Sequence, residues 1–134
     1  SIEVDPAFVG IRMLVVDDED RVRDEVSQVL QKLGCVVTSC ANGTEAFAAL
    51  DAAGSTEGFA MVVSDIRLPD ASGYEVFTKT REVLPDVPVI LMTGFGYDPD
   101  HTIVRASADG VQGILLKPFR TSQLIEAVRN AITT

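Results

Sequence analysis

The stretch Met61-Val-Val-Ser-Asp65-Ile-Arg-Leu-Pro-Asp70-Ala-Ser-Gly73 is an apolar run that ends on one carboxylate and then enters a loop of Pro, Asp, Ser and Gly. A short apolar run bounded by turn residues predicts a buried strand, which here delivers Asp65 to the loop at its end. In open parallel α/β sheets, ligands bind beyond the carboxyl ends of the strands. We therefore take Asp65 as the centre of a candidate site.

Five apolar runs in the chain, this one included, alternate with segments of helical periodicity. The predicted strands are residues 11–16, 35–40, 59–64, 89–92 and 113–116. Helical spacing of apolar residues predicts a helix after each strand, the fourth being a weakly amphipathic segment around residues 103–108. Strands that alternate with helices across short loops predict a doubly wound α/β fold with a parallel sheet.

Local signals mark where three of the helices begin or end. Asn42-Gly-Thr-Glu45 and Ser72-Gly-Tyr-Glu75 each place an N-cap residue three positions before an acid, which is a capping-box pattern. Gly34 follows the last apolar position of the first helix and predicts its end. These signals support the helical assignments independently of hydrophobic periodicity.

Length and composition predict one folded domain, which we assign to residues 11–134. Residues 1–10 have no clean hydrophobic period and contain Pro6, so they are interpreted as a leader or linker. The chain has 134 residues, of which 46% are hydrophobic, and a formal net charge of −9. This charge argues against a nucleic-acid partner and against contact with an anionic membrane surface. The sequence has no signal peptide and no apolar run of about 20 residues, so we expect a cytoplasmic domain.

Cys35 and Cys40 share one predicted strand. Their side chains are expected to point to opposite faces of the sheet and to form no disulfide bond with each other.

Further reactive side chains lie at the predicted carboxyl ends of other strands. Asp17 and Asp18 follow the first strand, Thr93 ends the fourth and Lys117 ends the fifth. Two like charges about 4 Å apart repel by roughly 4 kcal/mol near a protein surface, so clustered carboxylates need either raised pKa values or a cation. Carboxylate oxygens open to water suit Mg²⁺. An acidic nucleophile, a divalent ion, a lysine and a hydroxyl donor are the groups that move a phosphoryl group onto a carboxylate.

Four motifs stand in order at these strand ends. They are Val15-Val-Asp-Asp-Glu19, Ser64-Asp-Ile-Arg-Leu-Pro69, Leu91-Met-Thr-Gly94 and Leu116-Lys-Pro-Phe119. Together they resemble the motif set of the receiver domain of two-component response regulators, over residues 11–134. The resemblance implies a flavodoxin-like (βα)5 three-layer sandwich, whose five-stranded parallel sheet has the strand order 2-1-3-4-5.

The resemblance also implies a role for each residue that matches the family's motifs. Asp65 matches the phosphoacceptor, and Lys117 matches the family's lysine. Asp18 matches the direct Mg²⁺ ligand, and Asp17 matches the acid that acts on the ion largely through water. The backbone carbonyl of Arg67 matches a further metal ligand.

The expected switch departs from the family pattern. Thr93 matches the switch hydroxyl that reorients toward the phosphoryl group. Receivers usually place an aromatic switch residue three positions before the lysine, where this chain has Ile114. Either Ile114 moves without a ring, or Phe95 or Tyr97 substitutes for it, or the coupling to output differs.

Three smaller features also bear on the family's pattern. The bond between Lys117 and Pro118 matches one that is usually cis in the family. Residues 96–105 resemble those of receivers attached to hybrid sensor kinases. His101 is the only histidine, and without a helical-bundle context it is interpreted as an exposed loop residue and not as a phosphorelay histidine.

The resemblance implies a signalling domain and not an enzyme, apart from its own phosphorylation and dephosphorylation. A histidine kinase or its phosphotransfer domain would phosphorylate Asp65 with Mg²⁺. The face formed by the fourth predicted helix, the fifth strand and the fifth predicted helix would then change its affinity for an output domain or protein. The resemblance also allows a homodimer. Two alternatives stay open: a pseudo-receiver that is never phosphorylated, and an aspartyl-phosphate phosphohydrolase, which usually has a second acid where this chain has Arg67.

Overall fold

A computed structural model describes residues 2–54, 58–94 and 110–133. In these residues five parallel strands form one sheet of order β2-β1-β3-β4-β5. The strands are β1 (Arg12–Val16), β2 (Val36–Cys40), β3 (Met61–Asp65), β4 (Val89–Thr93) and β5 (Gly113–Leu116), and the helices are α1 (Asp20–Leu33), α2 (Gly43–Ala53), α3 (Gly73–Val83) and α4 (Thr121–Thr133). The flavodoxin-like fold and its strand order are confirmed.

The sheet is covered on both faces, which makes three layers. Side chains of the central strands alternate between two apolar clusters, because successive residues of a strand point to opposite faces. Met13 and Val63 lie in the cluster beneath α1 and α4, together with Val128 of α4. Leu14 lies in the opposite cluster beneath α2 and α3, together with Leu50 of α2. Burial on both faces explains why β1, β3 and β4 are apolar runs and not alternating patterns.

The predicted helix signals are confirmed. The side-chain oxygen of Asn42 accepts a hydrogen bond from the Glu45 N–H at 2.9 Å. At α3 the capping box is complete, since Ser72 Oγ accepts from the Glu75 N–H and Glu75 Oε1 accepts from the Ser72 N–H, both at 3.2 Å. Gly34 closes α1 with φ of 118°, a conformation that favours glycine.

Both cysteines are free thiols that pack in the core. Cys35 lies in the cluster beneath α1 and α4, and Cys40 lies in the opposite cluster, as the alternation along the strand predicts. Burial raises the pKa of each thiol to about 11. Both side chains therefore behave as small apolar groups at neutral pH.

The segment before β1 packs against the domain. Phe8 is 1% exposed and belongs to the cluster beneath α1 and α4. Asp5 Oδ2 forms an ion pair with Arg129 of α4 at 2.9 Å, and the Gly10 N–H donates to the Gly34 carbonyl at 3.0 Å. The domain boundary at residue 11 stays a prediction, but the side chain of Phe8 is a core residue.

Strand limits differ by one or two residues from the prediction. The third strand begins at Met61 and not at Phe59, and the second begins at Val36 and not at Cys35. Phe59 and Cys35 are both buried, so their hydrophobicity reports packing and not pairing within the sheet. The predicted fourth helix, the 95–100 loop and His101 lie outside the described residues. No helix in the described part of the chain is long and apolar enough to cross a membrane.

Candidate functional site

The carboxyl ends of four strands meet at one edge of the sheet. Strand register places Asp65 of β3 opposite Met92 of β4, and Thr93 opposite Leu116 of β5. Asp17 follows the last residue of β1, which pairs with the residue before Asp65. Parallel pairing thus brings together side chains that are far apart in the sequence, at the position where such sheets bind ligands.

Lys117 brings a positive charge to this edge. Its Nζ atom lies 2.8 Å from Oδ2 of Asp65, 2.8 Å from Oδ2 of Asp17 and 3.4 Å from Oε1 of Glu19. Burial lowers the pKa of Lys117, but the hydrogen bonds and charges of Asp17 and Asp65 outweigh burial and hold the pKa above its usual value. The ammonium group therefore stays charged throughout the physiological range.

Asp17 is a buried carboxylate, 0% exposed. Its Oδ1 accepts a hydrogen bond from the Glu19 N–H at 2.9 Å. Its Oδ2 forms an ion pair with Lys117 Nζ at 2.8 Å. Burial raises the pKa of Asp17, opposed by the hydrogen bonds from Lys117 and the Glu19 N–H, and the nearby charge of Asp65 raises it further.

Each carboxylate oxygen of Asp65 accepts a hydrogen bond. Oδ1 accepts from the Arg67 N–H at 3.2 Å, and Oδ2 accepts from Lys117 Nζ at 2.8 Å. The residue is 6% exposed, so its carboxylate is largely buried. The loop after it is tight, because the Gly73 N–H donates to the Ile66 carbonyl at 2.8 Å.

Three carboxylates converge into a group that fits a divalent cation. Asp17, Asp18 and Asp65 each offer one oxygen, and these oxygens lie within 4.8 Å of one another. Asp18 is exposed, so one side of the group is open to water. Hard oxygen ligands with room for water are what Mg²⁺ requires.

Thr93 and Ile114 occupy the positions that the sequence analysis assigned to the switch. Thr93 is buried at the end of β4, and its carbonyl accepts from the Lys117 N–H at 2.7 Å. Ile114 is partly buried beside the cluster beneath α2 and α3, and pairs with Leu91 of β4. Phe95 and Tyr97, the proposed substitutes for an aromatic switch residue, lie outside the described residues.

Glu19 and Arg23 make contacts at this edge that were not expected from the sequence. Glu19 places a third carboxylate near Lys117, at 3.4 Å. Arg23 of α1 donates from its NH1 group to the Asp17 carbonyl at 2.9 Å and from its NH2 group to Asp20 at 2.6 Å. The spacing of Asp20 and Arg23 on one helix was a visible signal for their pairing. Nothing local indicated that Arg23 also holds the end of β1.

A groove of about 370 Å³ lies next to the acidic group, between α1 and the loop after β5. Its lining includes Glu19, Val22, Lys117, Pro118 and Phe119. The bond between Lys117 and Pro118 is cis, as expected. The groove thus opens beside Glu19 and Lys117 on the side of α1.

The fold and this edge define the class of a signalling receiver domain, and comparison with known proteins gives the family. The family model of the response regulator receiver domain matches residues 13–129 of this chain. The chain therefore belongs to this family. Among solved structures, the response regulator receiver domain protein (CheY-like) from Methanospirillum hungatei JF-1 is similar, with a TM-score of 0.81 and 27% identity, over 92% of this chain and 94% of that one.

Two curated relatives are larger proteins of different kinds. The C4-dicarboxylate transport transcriptional regulatory protein DctD of Rhizobium meliloti (strain 1021) is 36% identical over 119 residues, which are 89% of this chain and 25% of DctD. The sensor kinase CckA of Brucella abortus (strain 2308) is 32% identical over 120 residues, 90% of this chain and 12% of CckA. The chain thus spans a quarter or less of these two relatives.

Proposed function

We propose that this domain accepts a phosphoryl group on Asp65 and uses it to change the affinity of the domain for a partner. The observation that supports this most is the environment of the Asp65 carboxylate. One of its oxygens receives Lys117 at 2.8 Å, and the residue belongs to a group of three carboxylates whose oxygens lie within 4.8 Å. An exposed structural aspartate needs no such surroundings.

The reaction is a transfer from nitrogen to oxygen. A carboxylate oxygen of Asp65 attacks the phosphorus of a phosphohistidine on a histidine kinase or phosphotransfer domain. The phosphorus–nitrogen bond breaks, its electron pair stays on the imidazole, and an acyl phosphate forms. Lys117 is placed to hold a phosphoryl oxygen by its positive charge.

Asp17, Asp18, Asp65 and the backbone carbonyl of Arg67 would hold Mg²⁺ in this proposal. When bound, the ion would supply positive charge that offsets the negative charge of the phosphoryl oxygens. Burial excludes water from the Asp17 carboxylate, so its negative charge is unfavourable when no metal ion is bound. Binding of a cation is favoured because it offsets this charge. Arg67 donates its N–H to Asp65, so its backbone is already tied to the acceptor.

The signal would leave the site through Thr93 and the strand beside it. Thr93 is directly linked to β5, since its carbonyl accepts from the Lys117 N–H. Phosphorylation then shifts the population of two arrangements at β5 and α4, with Ile114 as the residue that replaces an aromatic ring. The fourth predicted helix would complete this output face.

The setting of the domain follows from the same proposal. The upstream partner is a histidine kinase or its phosphotransfer domain, and the site of action is the cytoplasm. The downstream partner is an output domain or protein, either joined to the domain, as a receiver is in a transcriptional regulator, or reached from a hybrid sensor kinase. The relatives include a transcriptional regulatory protein and a sensor kinase.

Intact-protein mass spectrometry with acetyl phosphate tests the proposal. Wild type should gain one phosphoryl group in the presence of Mg²⁺ and none when the ion is chelated. Asp65→Asn should gain none, whereas the matched control Asp86→Asn, an exposed residue outside the acidic group, should react as wild type does. No gain in a folded wild type, with either acetyl phosphate or a phosphorylated histidine kinase, would favour a pseudo-receiver. Repeated turnover of phosphate esters would indicate a phosphohydrolase.

A further inference from the structure

Asp70 connects the loop after β3 to the beginning of α2. Its Oδ1 accepts a hydrogen bond from the Gly43 N–H at 2.7 Å. Its Oδ2 accepts from the Thr44 N–H at 2.9 Å and from Thr44 Oγ1 at 2.7 Å. These hydrogen bonds lower the pKa of Asp70, the Thr44 hydroxyl having the largest effect, so the carboxylate is charged at neutral pH. A negative group at this end of a helix also meets the positive end of the helix dipole.

The start of α2 already has a cap of its own. Asn42 accepts from the Glu45 N–H, which lies further along the first turn. Asp70 accepts from two different N–H groups, those of Gly43 and Thr44. The helix end is thus held twice, once by its own sequence neighbour and once by a residue from a different strand end.

The loop that carries Asp70 also carries the acceptor and a proposed metal ligand. Asp65 and Arg67 lie near its start, and the Leu68 N–H donates to the Ala71 carbonyl at 3.2 Å, which closes a turn around Asp70. An isolated antiparallel bridge joins Arg67 to Ser72. Because the loop is short and bridged, a displacement of Asp70 at its tip would also displace the backbone of Arg67.

The two segments are in close contact as well as hydrogen-bonded. A Cβ atom added to Gly43 would lie 2.6 Å from Cβ of Ala71 and 3.1 Å from Oδ1 of Asp70. Glycine is therefore required where the helix meets the tip of the loop. The carboxylate of Asp70 and this close approach together fix where the tip lies.

We propose that Asp70 is a positioning residue for the phosphoacceptor site, and that it acts by holding the loop of residues 65–73 against α2 so that the Arg67 carbonyl faces the metal position. This inference rests on the proposed function. It predicts an effect of Asp70 on Mg²⁺ binding although Asp70 is not itself among the carboxylates that converge on the cation position. A residue that only capped α2 would affect stability and nothing at the site.

The experiment compares Asp70→Ala and Asp70→Asn with the matched control Asn42→Ala, which removes a cap from the same helix end without touching the loop. Mg²⁺ affinity is measured by isothermal titration calorimetry at a temperature where circular dichroism finds every variant folded. Amide hydrogen exchange of residues 66–73 is measured on the same samples without Mg²⁺.

Asp70→Ala should weaken Mg²⁺ binding about tenfold, the low end of what loss of a group that orients a metal ligand costs. It should also accelerate exchange at residues 66–73. Asp70→Asn keeps one acceptor oxygen and should fall between Asp70→Ala and wild type; it carries the test if Asp70→Ala does not fold. Asn42→Ala should change neither Mg²⁺ affinity nor loop exchange.

Wild-type affinity and wild-type loop exchange in a folded Asp70→Ala protein would overturn the inference and leave Asp70 as a helix cap. The same changes in Asn42→Ala as in Asp70→Ala would also overturn it, because they would follow from loss of helix stability alone. A wild type that does not bind Mg²⁺ would instead overturn the metal site of the proposed function. Failure of the Asp70 inference can therefore be distinguished from failure of the proposed metal site.

Discussion

Lys117 Nζ lies 2.8 Å from Asp65 Oδ2, although β4 lies between the strands that carry these residues. The lysine side chain therefore reaches across the end of β4. The same Nζ atom lies 2.8 Å from Oδ2 of Asp17, beyond Asp65 in the sheet. One ammonium group thus joins the ends of β1, β3 and β5, and several properties of the protein depend on the balance between it and the carboxylates.

Asp17→Asn is expected to stabilise the Mg²⁺-free protein by about 1 kcal/mol at neutral pH, because a buried carboxylate with a raised pKa costs the folded state free energy when it is charged. The cost exists above the raised pKa and disappears as the pH falls through it, so wild type and variant should converge in acid. Thermal unfolding followed by circular dichroism measures both effects. Mg²⁺ should stabilise wild type and not the variant. Equal stability at neutral pH would show that Lys117 fully offsets the burial of Asp17.

Lys117→Ala is expected to destabilise the protein by about 3 kcal/mol at neutral pH, since it leaves the carboxylates of Asp17 and Asp65 without their counter-charge. The raised pKa of Lys117 means that its contribution is present throughout the neutral range and is lost only in strong alkali. Urea unfolding with and without Mg²⁺ measures the change, and the ion should restore part of it.

The matched control for that change is Lys79→Ala. Lys79 Nζ lies 2.6 Å from Asp51 Oδ1, but the side chain of Asp51 is 60% exposed. Exposed ion pairs contribute little, so the control should unfold close to wild type. If both variants lost equal stability, the burial of the Lys117 pairs would have no energetic consequence.

Gly73→Ala is expected to destabilise the protein by about 3 kcal/mol, the upper part of the range for overpacking. The added Cβ would lie 2.6 Å from the Asp65 carbonyl oxygen and 2.9 Å from Ile66 Cα, and neither backbone can yield without moving the acceptor. We also expect slower phosphorylation by acetyl phosphate under conditions where the variant is folded.

Gly54→Ala serves as the control for the glycine. A Cβ at Gly54 would meet its nearest described neighbour at 3.5 Å, which is ordinary contact. Its stability and phosphorylation rate should match those of wild type. A Gly73→Ala protein with wild-type stability would mean that the backbone around Asp65 is more adaptable than its contacts indicate.

Phe8→Ala is expected to cost about 3–5 kcal/mol, the usual loss for a buried phenylalanine. Phe8 is 1% exposed beneath α1 and α4, whereas its neighbour Val9 is 58% exposed, so Val9→Ala should change little. Chemical denaturation of both variants measures the difference. Loss of stability in Phe8→Ala alone would place the start of the folded domain before residue 11. Wild-type stability in both variants would agree with the prediction that residues 1–10 are a leader or linker.

Much of the fold could be predicted from the sequence because its signals are local. Apolar runs marked the strands, and the helix signals at Asn42, Ser72 and Gly34 act within four residues or fewer. Strand limits were less certain, since Phe59 and Cys35 are buried without belonging to a strand. Hydrophobicity indicates burial, and burial does not require strand pairing.

The candidate site was predicted as a set of residue types at strand ends, and its contacts were not. Asp17, Asp65 and Lys117 were expected to meet because parallel strands end on the same edge. Their sequence did not indicate that one lysine contacts both acids at 2.8 Å, or that Asp17 is buried enough to raise its pKa. Both facts depend on strand order and on the atoms that surround each side chain.

The sequence by itself determined which of the described segments form strands and helices and which reactive groups stand at the strand ends. These follow from backbone preferences and hydrophobic periods that extend over a few residues. Only the tertiary structure decided that Asp70 caps α2, that Phe8 enters the core and that Arg23 holds the end of β1. Such contacts join residues from different elements, and their distances are set by how the helices pack on the sheet.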